Sequence, residues 1–142
     1  MTASREVEIR VYIPTGKEEP DVLALLADNQ LTVLTRSCCA DRAGLLLLLT
    51  TSRPEEAQQV LKAAGYICET HPVILLGPAP YQPGVAARLL TELGNQGVNI
   101  LYSYLSSSAP DRCFVVVETT NDERAVEVVN RGRLNQHGMT HD

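Results

Sequence analysis

The sequence predicts an α+β protein that contains two copies of a βαββαβ unit. Segments whose apolar residues alternate, as in a strand, are interleaved with segments whose apolar residues recur every three or four positions, as in a helix. The second half of the chain repeats the first, with residues 26–33 matching 93–100 at a shift of 67 and residues 51–61 matching 119–129 at a shift of 68. A chain of 142 residues holds two such units of about 66 residues each and little else.

The first copy supports this assignment element by element. Pro20 and Pro54 each stand where a helix begins, a position that tolerates proline. Gly65 is suited to end the second helix in a left-handed conformation. The five leucines of residues 45–49 are flanked by turn residues and threonines, which favours a strand buried on both faces. The predicted order is strand 6–13, helix 20–29, strand 31–37, strand 45–51, helix 54–64 and strand 66–70.

The second copy repeats the order. It is predicted to contain strand 73–76, helix 84–95, strand 98–106, strand 112–118 and a helix that follows the cap at 119–123. Leu134 is a candidate for the start of a short last strand. The predicted domains are therefore 5–71 for the first repeat and 72–136 for the second, with 137–142 as a disordered tail. A βαββαβ unit of this kind has the ferredoxin-like topology, an antiparallel sheet with helices on one face.

Composition restricts the classes of partner. Hydrophobic residues make up 44% of the chain and charged residues 20%, as in an ordinary globular protein. The net charge of -5 argues against broad binding to nucleic acid or to an anionic membrane surface, because both need a basic face. No apolar run is long enough to span a bilayer, and the first ten residues lack the apolar core of a signal peptide. We therefore expect a cytoplasmic protein.

The cysteines do not predict a metal site. Cys38 and Cys39 are adjacent, and no cysteine pair has the spacing of a zinc site with any histidine. The simplest interpretation is that the cysteines are small apolar residues in a reducing compartment. A redox pair, or a metal chaperone that uses Cys38 and Cys39, is the alternative. No metal or other cofactor is predicted.

Catalytic motifs are missing from the sequence. It has no pattern typical of a serine hydrolase, a zinc protease, a P-loop or a dinucleotide-binding site. We therefore predict that the chain is not an enzyme.

The second copy carries a family resemblance. Pro83 and Gly84 open a helix with apolar Leu89, Leu90 and Leu93, and the segment 97–100 (Gly-Val-Asn-Ile) leads into the next strand. Together with the apolar third strand and the Thr-Thr-Asn-Asp segment at 119–122, these features resemble the ACT domain, a regulatory module that binds amino acids. Two copies in one chain look like the tandem ACT-domain proteins.

The resemblance implies a ligand site between paired domains. It is formed by the loop between the first strand and first helix of one domain and by the second strand of the facing domain. Carried over to this chain, the implied ligand-binding residues are Tyr81, Gln82, Gly84, Val85, Ala86, Asn99, Ile100 and Leu101. The implied ligand is an amino acid, the implied assembly is a homodimer, and a partner enzyme under allosteric control is a further expectation. The alternative is a structural or dimerisation module whose sites are degenerate.

Two departures from the family pattern are visible. Tyr81 stands where the family has an acidic residue, and Ala86 stands where it has leucine. In the first copy the equivalent loop at 14–19 carries a lysine and two glutamates instead of an apolar helix start.

Tyr102 and Tyr104 share one face of a predicted strand, where they could line a pocket or pack beneath a neighbouring element.

Overall fold

The computed structural model describes residues 2–41, 43–80, 84–109 and 111–139. It contains six strands and four helices within these residues. The elements are β1 (Ala3–Ile13), α1 (Glu19–Asp28), β2 (Val33–Asp41), β3 (Gly44–Thr51), α2 (Pro54–Ala63), β4 (Ile67–Pro80), α3 (Val85–Asn95), β5 (Ile100–Ala109), β6 (Arg112–Thr119) and α4 (Asp122–Met139). The last strand of the first copy and the first strand of the second are continuous in β4. The predicted pair of ferredoxin-like repeats is confirmed.

The chain divides into two compact units. The first unit is Val7–Pro72, and the second unit joins Met1–Glu6 to Val73–Asp142. The domain bounds predicted from the sequence, 5–71 and 72–136, stay a prediction, and residues 5 and 6 fall within the second compact unit. Because the division falls inside strands, β1 and β4 each contribute residues to both units.

The first unit has the strand order β2-β3-β1-β4, with α1 and α2 on one face. The antiparallel register pairs Ile9 with Leu49 and Val11 with Leu47, so that these side chains share the face covered by the helices. The fully enclosed core of this unit consists of Ile9, Val11, Ile13, Val22, Leu26, Leu31, Leu47, Leu49, Ala57 and Leu61.

Part of the other face of the first sheet is also buried. Leu48 and Thr50 are buried there, which confirms the prediction that β3 is buried on both faces. Glu8, expected on a solvated face because it alternates with apolar residues, is fully buried, and its Oε1 accepts a hydrogen bond from Arg10 Nε at 2.9 Å. Alternation therefore predicted the burial of Ile9, Val11 and Ile13, but not the burial of Glu8 or the 39% exposure of Val7.

The second unit has the strand order β1-β4-β6-β5. The core beneath α3 and α4 consists of Ala3, Ile74, Leu76, Leu93, Val98, Val115, Val117, Ala125, Val128 and Val129. On the opposite face the Tyr102 and Tyr104 rings stack with their centroids 6.2 Å apart and pack against Val73, Leu75 and Val116. The two tyrosines are therefore packing residues of this sheet.

The fourth strand of the second unit comes from the start of the chain. The predicted strand at Leu134 is wrong, because α4 continues through that residue to Met139. The position beside β4 is taken instead by β1, where the Gly77 N–H donates to the Thr2 carbonyl at 2.9 Å. Ala3 anchors this segment, since its N–H donates to Asn130 Oδ1 at 3.1 Å and its side chain is buried in the core.

Equivalent turns of the two repeats have the same hydrogen bonds. After α1 the Leu31 N–H donates to the Leu26 carbonyl, and after α3 the Val98 N–H donates to the Leu93 carbonyl, both at 3.0 Å. Gln30 adopts φ 60° where Gly97 has φ 81°. Both turns lead into a β-bulge, between Val33 and Thr35 in β2 and between Ile100 and Tyr102 in β5. These shared details support the internal repeat at the level of individual backbone groups.

The C-terminal end of the described chain is helical. Residues 137–139 belong to the last turn of α4, and residues 140–142 lie outside the described part of the chain. Among the described residues, no helix is both long enough and apolar enough to cross a membrane.

Candidate functional site

The N-terminal end of α3 has no side-chain cap from the described residues. Gly84 is the N-cap residue and adopts φ 81°, a left-handed conformation that strongly favours glycine. Its carbonyl accepts the Arg88 N–H at 3.0 Å, and no side chain of the described residues caps the helix. A Cβ placed on Gly84 would meet no described atom within 4 Å. Since the first turn contains no acidic residue, its backbone N–H groups form a positive end that an anion can approach.

The equivalent end of α1 is closed by its own acidic residues. The Glu18 N–H donates to Asp21 Oδ2 at 2.7 Å, so that the Asp21 carboxylate already lies against the first turn. Glu19 also stands in this turn and forms an ion pair with Arg36 of β2. A negatively charged ligand would therefore be repelled at α1 but attracted at α3. The acidic residues that the sequence shows at the start of the first-copy helix therefore make the N-terminal end of α1 electrostatically different from that of α3.

The predicted strand residues follow the other end of α3. Asn99 is exposed, and its carbonyl accepts the Thr120 N–H at 3.0 Å, which fixes the entry into β5. Ile100 is half-buried against the core, whereas Leu101 is the extra residue of the bulge and is 60% exposed. Bulges commonly turn a side chain out of the regular pattern of a strand. Here the bulge presents an apolar side chain beside an exposed amide.

The structure separates the predicted site residues into two groups. Gly84, Val85 and Ala86 lie at the start of α3, whereas Asn99, Ile100 and Leu101 follow its end. A helix of 11 residues is about 16 Å long, too far for one small molecule to contact both groups of the same unit. Tyr81 and Gln82 lie outside the described residues. The predicted residues therefore form one site only if a second domain supplies one of the two groups.

Sequence analysis missed an apolar cleft in the first unit. The cleft has a volume of about 260 Å³ and is lined by Tyr12, Ile13, Pro14, Ala43, Gly44, Leu45, Leu46, Gly65 and Ile67. Ile67 is 70% exposed, although it is an isoleucine in a strand. None of its described lining residues is charged. Gly44 and Gly65, which bound this end of the sheet, were the signal available in the sequence.

The adjacent cysteines Cys38 and Cys39 lie in β2. The four cysteines are free thiols, and neighbouring residues on β2 place Cys38 and Cys39 on opposite faces of the strand. Partial burial, followed by the nearby Glu19 carboxylate, raises the pKa of the Cys38 thiol, which reduces its thiolate fraction. No group of three histidines, cysteines or carboxylates in the described residues could hold a metal ion.

Comparison with known proteins identifies the fold and the family. The model of the ACT domain pair family matches residues 9–138. Among solved structures, protein BT0572 of Bacteroides thetaiotaomicron superposes with a TM-score of 0.74 at 21% identity, over 93% of this chain and 90% of that chain. The ligand-free regulatory subunit of aspartate kinase from Thermus thermophilus gives a TM-score of 0.61 at 16% identity, over 92% of this chain and 96% of that chain. A comparison with curated proteins gives no match.

The two repeats and the strand order of each unit define a tandem of ferredoxin-like domains. The chain belongs to the ACT domain pair family.

Proposed function

We propose that this protein is a regulatory sensor of a small metabolite with a carboxylate group, most simply an amino acid, bound at the start of α3. The observation that carries the proposal is the contrast between the two helix ends. The α3 end has an exposed left-handed glycine and no acid in its first turn, whereas the α1 end has the Asp21 carboxylate in place. The proposal assigns one carboxylate site to each chain, in the second repeat.

Helix electrostatics support a carboxylate at this position. The first N–H groups of a helix lack partners within the helix, and the peptide dipoles add roughly half a positive charge at this end. Gly84 has no side chain to hinder the approach of a ligand to the backbone, and a Cβ placed there would meet no described atom within 4 Å. Tyr81 and Gln82, which precede Gly84 in the sequence, are the remaining residues of this half of the proposed site.

Residues of a facing domain would supply the other half. The exposed amide of Asn99 can accept a hydrogen bond from an ammonium group and donate one to a carboxylate. Leu101 offers 60% of its surface for contact with an apolar ligand side chain, and Ile100 supports it from the core. Since the ligand would bridge two domains, its affinity would differ between packed and separated domains. That difference is what allows a ligand to shift an assembly.

A partner enzyme is part of the proposal. Two solved structures with this fold are regulatory subunits of aspartate kinases, from Thermus thermophilus and Thermus flavus. We infer that the chain transmits ligand binding to an enzyme by changing its contacts with that enzyme. The alternative function, a dimerisation module without a ligand, is favoured by one observation, the closed acidic end of α1.

Thermal-shift screening with the twenty amino acids at millimolar concentration tests the proposal. At least one amino acid should raise the melting temperature of the wild-type chain, because a ligand that binds the folded state stabilises it. In Gly84→Asn the new side chain fills the approach to α3, and asparagine tolerates the left-handed conformation, so the ligand-dependent shift should disappear. Gly16→Asn is the matched control, since Gly16 has φ 92° and an equally open surrounding in the described chain. If no amino acid raises the melting temperature, or if the increase persists in Gly84→Asn, the proposal is refuted.

A further inference from the structure

The apolar cleft of the first unit lies at one end of its sheet. Its walls come from three segments that are distant in sequence: residues 12–14 at the end of β1, residues 43–46 at the start of β3, and Gly65 with Ile67 at the start of β4. The antiparallel register pairs Ile13 with Leu45, so the end of β1 and the start of β3 lie side by side. Since all of these residues belong to Val7–Pro72, the cleft is formed by the tertiary structure of one compact unit.

Two large apolar side chains of the cleft are exposed. Ile67 is 70% exposed and Tyr12 is 42% exposed. Ile67 lies between Tyr66 and Cys68, which pack against the helix-covered core, so its side chain is on the face of the sheet opposite α1 and α2. Tyr12 alternates in the same way with core residues of β1. Single exposed apolar residues are common in proteins, but here two of them converge on one concave surface.

The second unit does not repeat this lining. The shift of 67 between the copies aligns Leu45 with Arg112 and Tyr12 with Ala79, and the strand registers agree with this alignment. Arg112 is exposed, and Ala79 is small. The same fold therefore accepts a charged residue and a small residue at these positions. It follows that the strand pairing itself does not require the apolar residues of the first unit.

The size and the lining of the cleft restrict the class of ligand. An apolar cavity of about 150 Å³ is enough to bind benzene, so a cleft of about 260 Å³ can hold two fused rings. The described lining side chains are aliphatic except for the Tyr12 phenol. A charged group placed against them would lose its hydration without gaining a partner, whereas a flat apolar ring can pack on Ile67 and stack on the Tyr12 ring.

We propose that this cleft is a ligand site for a neutral bicyclic aromatic compound, of the indole or naphthalene type. Leu45 and Leu46 contribute half-buried surface to the site, and Tyr12 and Ile67 contribute exposed surface that the ligand covers. The site shares no residue with the start of α3, so it does not rest on the proposed function. Because the ring contacts three strands, its binding stabilises the folded first unit.

An NMR titration of the full ¹⁵N-labelled chain with indole tests the proposal. The amide signals of residues 43–46 and of Ile67 should shift and saturate, whereas that of Gly84 should not move. A ligand of about ten heavy atoms should bind with a dissociation constant on the order of 1 mM or lower. Tryptophan carries the same ring with an ammonium and a carboxylate group, and it should bind at these residues at least about tenfold more weakly.

Substitutions in the lining locate the site. Ile67→Asp places a charge in the cleft and should weaken indole binding about tenfold or more. Tyr12→Ala removes the stacking ring and should weaken binding about fivefold. Val7→Asp is the matched control, because Val7 is an apolar strand residue of the same unit that is 39% exposed and lies outside the lining, and it should leave the affinity unchanged. The spectrum of each variant shows whether the chain is folded.

Several results would overturn the proposal. These are the absence of a saturable shift with indole, shifts confined to residues outside the cleft, and wild-type affinity in both Ile67→Asp and Tyr12→Ala. Equal binding of tryptophan at the cleft would contradict the neutral class of ligand. An affinity for indole that falls as the protein concentration rises would show that a second copy of the chain occupies the cleft, which would also overturn the proposal.

Discussion

Exchanging the residues that occupy the equivalent left-handed turn positions should have opposite effects on stability. Gln30 adopts φ 60°, and Gly97 occupies the same place in the second repeat with φ 81°. A residue with a Cβ in this conformation costs roughly 1–2 kcal/mol relative to the right-handed region. Glycine at the same position lowers the free energy of unfolding by roughly 0.4–1 kcal/mol, because it gives the unfolded chain more conformational freedom. We therefore expect Gln30→Gly to stabilise the protein by about 0.5–1 kcal/mol.

The surrounding contacts do not oppose this expectation. Arg53 Nη2 donates a hydrogen bond to the Gln30 carbonyl at 2.8 Å. A glycine at position 30 retains that carbonyl. A Cβ on Gly97 would meet no described atom within 4 Å, so Gly97→Gln introduces no steric clash with the described residues. The backbone conformation alone should then lower the free energy of unfolding, by about 0.5–1 kcal/mol.

Urea denaturation of both variants beside the wild type measures the effect, and roughly 1 kcal/mol should also move the melting temperature by several degrees. A Gln30→Gly variant that is less stable than the wild type would show that the glutamine side chain makes a larger contribution than the backbone strain. A Gly97→Gln variant as stable as the wild type would show that the two turns are not equivalent.

Three further predictions concern the core, a helix cap and a thiol. Leu61→Ala should destabilise the protein by about 2–5 kcal/mol, because the fully buried side chain leaves a cavity in the first unit, and urea denaturation measures the loss. Asn121→Ala should cost about 1 kcal/mol, since Asn121 Oδ1 accepts the Arg124 N–H at 3.0 Å at the start of α4; an unchanged denaturation midpoint would contradict this role. The pKa of Cys38 is raised by burial and then by Glu19, so alkylation of Cys38 should require a higher pH than that of an ordinary thiol. Glu19→Gln should lower that pKa and speed alkylation near pH 8, as followed by mass spectrometry; an unchanged rate profile would exclude the carboxylate as a cause.

Local sequence patterns predicted most of the fold. The helix starts at Pro20 and Pro54 and the left-handed glycine at the end of α2 depend on interactions between residues close in sequence. The repeat is visible by comparing the two halves of the sequence. The fourth strand of the second unit could not be predicted in this way. In this strand the start of the chain pairs with β4. The residues around Leu134 cannot indicate a strand whose own residues lie more than a hundred positions earlier in the sequence.

The burial of polar side chains could not be predicted from the sequence either. Alternation in β1 shows that Glu8 faces away from Ile9, but it does not show whether water reaches that face. In the structure the Glu8 carboxylate is fully buried and bonded to Arg10.

The candidate site was predicted in part. Gly84 and Asn99 were named from the sequence, and their positions at opposite ends of α3 follow from the helix that lies between them. The capping of α1 by Asp21 could not be predicted with the same certainty, because acidic residues in a first turn also occur at helix ends that stay open.

Isothermal titration with the amino acid that gives the largest thermal shift is the most direct test of the central claim, a carboxylate site at the start of α3. We predict one ligand bound for each chain in the wild type and in Gly16→Asn, and no binding to Gly84→Asn. Two ligands for each chain would mean that the acidic end of α1 also binds. Binding that persists in Gly84→Asn would place the site elsewhere and contradict the account.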